Sequence, residues 1–193
     1  MGDYFRPTRF IKICLKPFQC LQSVISERGD DVNDFLCTDD FITKSVELYS
    51  DMMYRVALNI TRNSEDAFDV CQDVFVRLIR NRHKIKDDEH LKAWLLRATV
   101  NCAKSLCTQA YKRYCVSADE LNNHIISDST ENSELFDAVI RLPEKYSTVI
   151  HLFYYEDLTI EQIADVLKIT KSAVKSRLHR GRERLKQMLE KEN

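Results

Sequence analysis

Thr159 and Thr170 each stand at the head of a short amphipathic stretch, and this pair constrains the chain more than any other feature. Thr159 with Gln162 three residues on is the pattern of a capping box, in which two side chains satisfy backbone N–H groups that a helix start leaves open. Ile160, Ile163, Ala164 and Leu167 follow at three- and four-residue steps, so one face of this helix is apolar. Lys168 and Ile169 make a turn, and Thr170 heads a second helix whose buried stripe is Val174, Leu178, Gly181 and Leu185. Ala164 is small where two steeply crossing helices have to approach. The unit reads as a helix-turn-helix, which ordinarily lays its second helix in the major groove of DNA.

Charge points the same way. The formal net charge is -1, yet Thr170 to Met188 holds seven Lys or Arg and one acid, a local +6. A solvated surface helix usually mixes signs, and a polyanion meets this helix rather than the average. Thr170, Lys171, Ser172, Lys175 and Ser176 occupy its N-terminal part, where short polar and basic groups reach base edges. Arg177, Arg180, Arg182 and Arg184 are better placed for phosphates, with His179 a polar surface residue beside them.

Only three Gly and three Pro interrupt 193 residues, so long helices are expected and the fold class is all-α. Val46, Tyr49, Met53, Val56, Ala57 and Ile60 make one helical stripe. Asn63 or Ser64 then caps a helix that turns Ala67, Val70, Cys71, Val74, Phe75 and Leu78 inward. A loop from about Asn81 to Glu89 precedes a third helix, starting near His90, with Leu91, Trp94, Leu95, Ala98 and Cys102 inward. Residues 115–133 form a linker: Cys115 to Glu134 has five acids and no Lys or Arg. About 20 extended residues reach at most ~65 Å. Pro143 suits the first turn of a helix that buries Val149, Ile150, Leu152 and Phe153. The organisation is therefore an extension of unassigned role (1–40), a helical block (41–114), the flexible acidic linker, and a second helical block (134–190) that ends in the helix-turn-helix.

No HExxH, GxxxxGK or GxSxG occurs, and no nucleophile, base and acid can be nominated together, so no catalytic residue and no cofactor is expected. The seven cysteines form no CxxC and the five His are scattered, which argues against a metal site and for small buried side chains in a reducing compartment. No apolar run approaches the ~20 residues of a membrane span. Arg6, Arg9, Lys12 and Lys16 alternate with apolar residues in the extension without an uninterrupted apolar core, so a signal peptide is not expected.

The segment LPEKYSTVIHLFYYEDLTIEQIADVLKITKSAVKSRLHRGRERL resembles the minus-35-binding domain of extracytoplasmic-function (ECF, group four of the sigma-70 family) bacterial sigma factors. It matches through Leu142-Pro143, Glu156, Thr159, Ile163-Ala164 and the run Val174 to Arg180. SEDAFDVCQDVFVRLIR resembles the polymerase-clamp helix of that family, and HLKAWLLRATVNCAKSL its promoter-melting helix. The resemblance covers about Phe41 to Leu189. The chain departs from the family at four places. Lys168 stands where a turn Gly is usual, implying strain at positive φ or a different turn. Gly181 stands where Ala is common. Ser105 replaces an Asp, and Cys107 and Thr108 replace an Arg pair.

The resemblance implies a cytoplasmic transcription initiation factor of two small domains, of sigma region 2 and sigma region 4 types. Asp69, Gln72, Asp73 and Arg77 would dock on the clamp coiled coil of the largest subunit of core RNA polymerase, with the second domain on the flap of the second-largest subunit. Lys84, Lys86, His90, Lys92, Trp94, Arg97, Asn101 and Lys104 would take the single-stranded minus-10 element, Trp94 also serving as a core residue. The basic helix would read minus-35 duplex promoter DNA. Anti-sigma proteins are frequent partners in the family. Two alternatives stay open from the residues: a conventional helix-turn-helix regulator with a sensing or dimerising first block, and a sigma-like adaptor unable to initiate alone.

Overall fold

The computed structural model describes the backbone of residues 32–114 and 134–192 and the side chains of 41–109 and 135–190. Helix α1 (Val32–Thr61) ends where Arg62 turns left-handed at φ 58°. Asn63 then caps α2 (Ser64–Asn81), its side-chain oxygen accepting from the Asp66 N–H at 3.1 Å. A 3-10 turn (Arg82–Lys84) leads to α3 (Asp88–Tyr114). The second block holds α4 (Glu134–Arg141), α5 (Glu144–Tyr154), α6 (Ile160–Leu167) and α7 (Lys171–Glu192). No strand occurs among the described residues, so the chain is all-α as its sequence implies. The expected linker and most of the N-terminal extension lie outside the described residues.

One helix begins upstream of the expected junction and another close to its expected start. Helix α1 reaches back to Val32, so the junction expected at residue 40 falls inside a helix. Helix α3 starts two residues before His90. Asp87 accepts from the His90 N–H at 2.7 Å, and Asp88 and Glu89 occupy the first turn, where the helix dipole favours acids.

Helices α1, α2 and α3 pack on one another, while α5 sits between α1 on one side and α4, α6 and α7 on the others. The sequence reading gave α5 a single apolar face. Instead every residue from Tyr146 to Leu152 is buried, including Ser147, Thr148 and His151, because helices surround it; Phe153 is only partly covered. Helix α3 also touches α6. The buried side chains of both blocks consequently form one continuous apolar cluster, from Ile42 and Leu95 to Val149 and Leu178.

Gly181 explains itself at the α5–α7 crossing. A Cβ there would lie 2.7 Å from Ile150 Cδ1 and 3.4 Å from Tyr146 Cβ. The helix propensity that Ala would restore, about 1 kcal/mol, is set against that contact. A branched side chain adds further atoms to the same crossing, and Ile150 has to shift to admit them. Gly181→Val is expected to lower stability by about 1–3 kcal/mol through overpacking, read as a shift in the urea midpoint at unchanged slope.

Lys168 settles the turn question: it stands at φ 54°, ψ 45°, the left-handed position that favours Gly, and closes α6 through its N–H to the Ala164 carbonyl. The turn has ordinary geometry carried by a strained residue. Lys168→Gly is expected to raise stability by about 1 kcal/mol, since a left-handed Lys costs that order of energy. Thermal melting of the two proteins side by side checks it.

Candidate nucleic-acid and protein interfaces

The helix-turn-helix forms as its caps dictate. Thr159 Oγ1 accepts from the Gln162 N–H at 3.2 Å while Gln162 Oε1 accepts from the Thr159 N–H at 2.9 Å. Thr170 Oγ1 accepts from the Ala173 N–H at 3.1 Å and starts α7. Ile163, Ala164, Val174, Leu178 and Gly181 are buried, with Leu185 partly covered; Val166 joins them although its position gave no separate signal. Burying that stripe turns Lys171, Ser172, Lys175, Ser176, His179 and Arg180 to solvent. Lys171 Nζ lies 2.9 Å from Glu161 Oε1, and this hydrogen bond holds the Glu161 carboxyl below its usual range. His179 Nε2 lies 3.5 Å from Glu183 Oε1.

The arginines of α7 divide into two groups. Arg177 is half-buried and Arg180 exposed. Arg182 lies over the rings of Phe153 and Tyr154, at 5.6 and 5.5 Å from their centroids, and Arg184 lies 4.9 Å over Tyr146. The last two therefore lie over aromatic rings of α5, an arrangement worth about 0.5–1 kcal/mol at an exposed site. Sequence spacing gave no sign of it, because the rings come from another helix.

A second site lies between α2 and α3. Asp69, Gln72, Asp73 and Arg77, nominated from one helix, line an open groove of about 410 Å³. Val76 and Leu106 supply apolar wall, and Ser105 and Gln109 face it from α3, with Gln109 Nε2 donating to Ser105 Oγ at 3.2 Å. Asp73 and Arg77 form an exposed pair at 3.9 Å. Burial, reinforced by Asp69 and Glu65, pushes the Asp66 carboxyl upward on the same helix. Cys102 also lines the groove, and burial raises its thiol. Ser105 and Gln109 were missed as groove residues, since nothing in sequence ties them to a helix some thirty residues earlier.

The residues nominated around α3 do not all gather in one place. Lys84 Nζ donates to Asn81 Oδ1 at 2.8 Å, and the Lys86 N–H donates to His90 Nδ1 at 3.2 Å, so both belong to the turn before α3. Asn101 is exposed on α3 itself. Trp94 is partly buried against the core, and Arg97 is half-buried with its Nε lacking a hydrogen-bond partner. Lys92 and Lys104 point to the second block: Lys92 Nζ donates to the Glu156 carbonyl at 3.4 Å, and Lys104 Nζ lies 3.8 Å from Glu144 Oε1.

Glu156 is the centre of a polar cluster that the sequence did not reveal. Its buried carboxylate oxygen Oε1 lies 3.3 Å from an Arg55 nitrogen of α1 and 3.4 Å from His151 Nε2. Asp157, next in the chain, adopts φ 53°, so the turn before α6 also carries a left-handed residue.

Among the described residues no group of His, Cys, Asp or Glu is arranged to hold a metal ion, and no helix is long and apolar enough to cross a membrane. Cys102 and Cys107 carry free thiols.

Among the described residues, an all-helical arrangement joins a capped helix-turn-helix to a three-helix block with a polar groove. Residues 46–113 match the Sigma-70 region 2 family and residues 133–185 the Sigma-70 region 4 family. The ECF RNA polymerase sigma factor SigW of Bacillus subtilis (strain 168) is 28% identical over 167 residues, covering 78% of this chain and 89% of the relative. The ECF RNA polymerase sigma-E factor of Haemophilus influenzae (strain ATCC 51907 / DSM 11121 / KW20 / Rd) is 30% identical over 162 residues, covering 74% of this chain and 86% of that protein. In fold, the chain resembles the sigma factor RpoE from Bartonella quintana, solved in complex with the anti-sigma factor NepR, with a TM-score of 0.65 at 20% identity over 79% of this chain and 98% of that one. The chain belongs to the ECF sigma factors, a family of promoter-specific transcription initiation factors with no catalysis of their own.

Proposed function

We propose that this protein binds core RNA polymerase and directs it to promoters through its two blocks, reading minus-35 duplex DNA with α7 and helping to open the minus-10 element with α3 and the turn before it. The observation that carries the reading is the exposed N-terminal half of α7, where Lys171, Ser172, Lys175, Ser176 and Arg180 share a solvent-facing surface and the opposite face is buried. Such a helix reaches base edges while its cations take phosphates.

The groove of Asp69, Gln72, Asp73 and Arg77 is the polymerase-docking surface in this reading. Acids and an amide around apolar wall suit a basic, hydrogen-bonding partner such as the clamp coiled coil of the largest subunit. The second block would meet the flap of the second-largest subunit. Nucleotide transfer belongs to the polymerase. Strand separation is driven by binding: an extruded base costs a few kcal/mol, offset by a pocket and by stacking. The site of action is the cytoplasm, where polymerase and promoter are found, and an anti-sigma protein is a natural regulator.

Run-off transcription tests the reading. Purified protein with bacterial core polymerase and a library of candidate promoters at low salt is expected to give discrete transcripts. Duplex binding without transcripts would favour a conventional regulator or an adaptor instead.

A further inference from the structure

Glu161 stands among the cations given to duplex DNA and carries the opposite charge. It is the second residue of α6, and the reciprocal caps of Thr159 and Gln162 fix that helix start around it. Lys171 is the first residue of α7. Its Nζ lies 2.9 Å from Glu161 Oε1, and the two side chains are 61% and 59% exposed. The contact therefore crosses the turn, from one helix of the helix-turn-helix to the other. Lys171 foremost, with the charge of Lys175 adding to it, holds the Glu161 carboxyl below its usual range. The acid thus looks onto the exposed face that carries both lysines. No acid occupies the first turn of α7 itself, and a cation at a helix N-terminus is opposed by the helix dipole. Glu161 supplies that negative charge from the neighbouring helix. It also fixes an ammonium that would otherwise sample many rotamers.

The bonded pair still has hydrogen-bonding capacity. Lys171 Nζ keeps two N–H donors, and the carboxylate keeps free acceptor positions. A donor and an acceptor therefore stand side by side at the mouth of α7. The major-groove edge of a G·C pair is their complement: guanine O6 and N7 accept, and cytosine N4 donates. Guanine O6 and cytosine N4 are joined by a base-pairing hydrogen bond, so they lie about 2.9 Å apart. Lys171 Nζ and Glu161 Oε1 have the same spacing. A T·A pair in the same orientation fits less well. Thymine offers one acceptor with its methyl group beside it, which leaves an ammonium proton unpaired. The reversed pairs, C·G and A·T, turn a donor toward the ammonium.

We propose that Glu161 and Lys171 together read one G·C base pair of the minus-35 element, Lys171 donating to guanine O6 and N7 and Glu161 accepting from cytosine N4. This rests on the duplex-reading role of α7 and extends the reading surface onto α6. Glu161 is then a specificity-determining residue. Against phosphate its charge is unfavourable, and against cytosine N4 it is favourable. It weakens binding to unrelated sequences and strengthens binding to the sequence that carries the pair.

The test uses the full chain at low salt with a fully randomised duplex library, the retained duplexes being sequenced. Wild type is expected to select a motif with a G·C pair at one position and to prefer it there over T·A by about 10-fold. Glu161→Ala and Lys171→Ala are each expected to reduce that preference to about 2-fold or less and to leave other positions unchanged, with the double variant no worse than either. On an unrelated duplex the two changes act in opposite directions. Glu161→Ala is expected to bind about 2- to 5-fold more tightly and Lys171→Ala about 2- to 5-fold more weakly. A merely structural role would move both the same way. Both side chains are exposed, so the variants are expected to melt with wild type. Full preference retained by Glu161→Ala, relaxation at different positions in the two single variants, or the same direction of change on the unrelated duplex overturns the proposal alone. Selection of no motif by wild type overturns the duplex-reading role of α7 and the proposal with it.

Discussion

Replacing Asp69 and Asp73 together by alanine is expected to reduce run-off transcription by about 100-fold or more while minus-35 duplex binding stays unchanged. Both carboxylates line the groove between α2 and α3 and both are exposed, so neither holds the fold. The one described ion pair that is lost, Asp73 with Arg77, is an exposed pair along a helix at 3.9 Å and contributes little. Alanine is also the better helix former, so α2 keeps its stability. What disappears is the acceptor set for a basic partner. Two charge-assisted hydrogen bonds at about 1.5–3 kcal/mol each multiply to at least that factor. Circular dichroism and an electrophoretic shift on minus-35 duplex supply the controls. Normal transcription by the double variant would remove this groove from the polymerase contact.

Lys175→Glu is expected to weaken minus-35 duplex binding by about 100-fold or more at low salt without changing the melting temperature by more than a degree or two. The residue is exposed on the outer face of α7, one position after buried Val174. It makes no described ion pair, so its loss costs the fold nothing of note. On DNA the change removes a cation and introduces an anion against phosphate. One lost base-edge or phosphate contact accounts for about 1–3 kcal/mol, and like-charge repulsion adds to it. The salt dependence distinguishes the two roles. If Lys175 touches phosphate, Lys175→Ala lowers the slope of log affinity against log salt by about one and weakens all sequences alike. If it reads a base edge, Lys175→Ala relaxes sequence preference at one position instead. Unchanged duplex affinity in Lys175→Glu would mean that another face of the block meets the DNA.

These two sites were legible in sequence for different reasons. The helix-turn-helix is local: Thr159 with Gln162, Thr170, and the Val174 to Leu185 stripe act within one or two turns, and backbone capping and helical periodicity suffice to locate them. The groove was legible only in part. Asp69, Gln72, Asp73 and Arg77 share a helix face, but Ser105 and Gln109 close it from α3, and only packing of the two helices brings them together.

Where the sequence pattern was silent, a non-local neighbour was responsible. Single-face burial was expected of α5, yet Ser147, Thr148 and His151 are buried because α1 covers the side that α4, α6 and α7 leave open. Arg182 and Arg184 looked like phosphate ligands, and aromatic rings of α5 lie under both. Lys92 and Lys104 looked free for DNA, and each meets an oxygen of the second block.

The sequence by itself determined the all-α class, the two helical blocks, the caps of the helix-turn-helix and the basic face of α7. Each is set by groups within about a turn of one another, or by the excess of Lys and Arg over acids along one stretch of chain. The tertiary structure alone decided that the two blocks meet, that Glu156 is buried between Arg55 and His151, and that Gly181 is a crossing point. Those outcomes depend on where helices far apart in the chain come to lie, and the spacing of residues along a single helix carries no record of its neighbours.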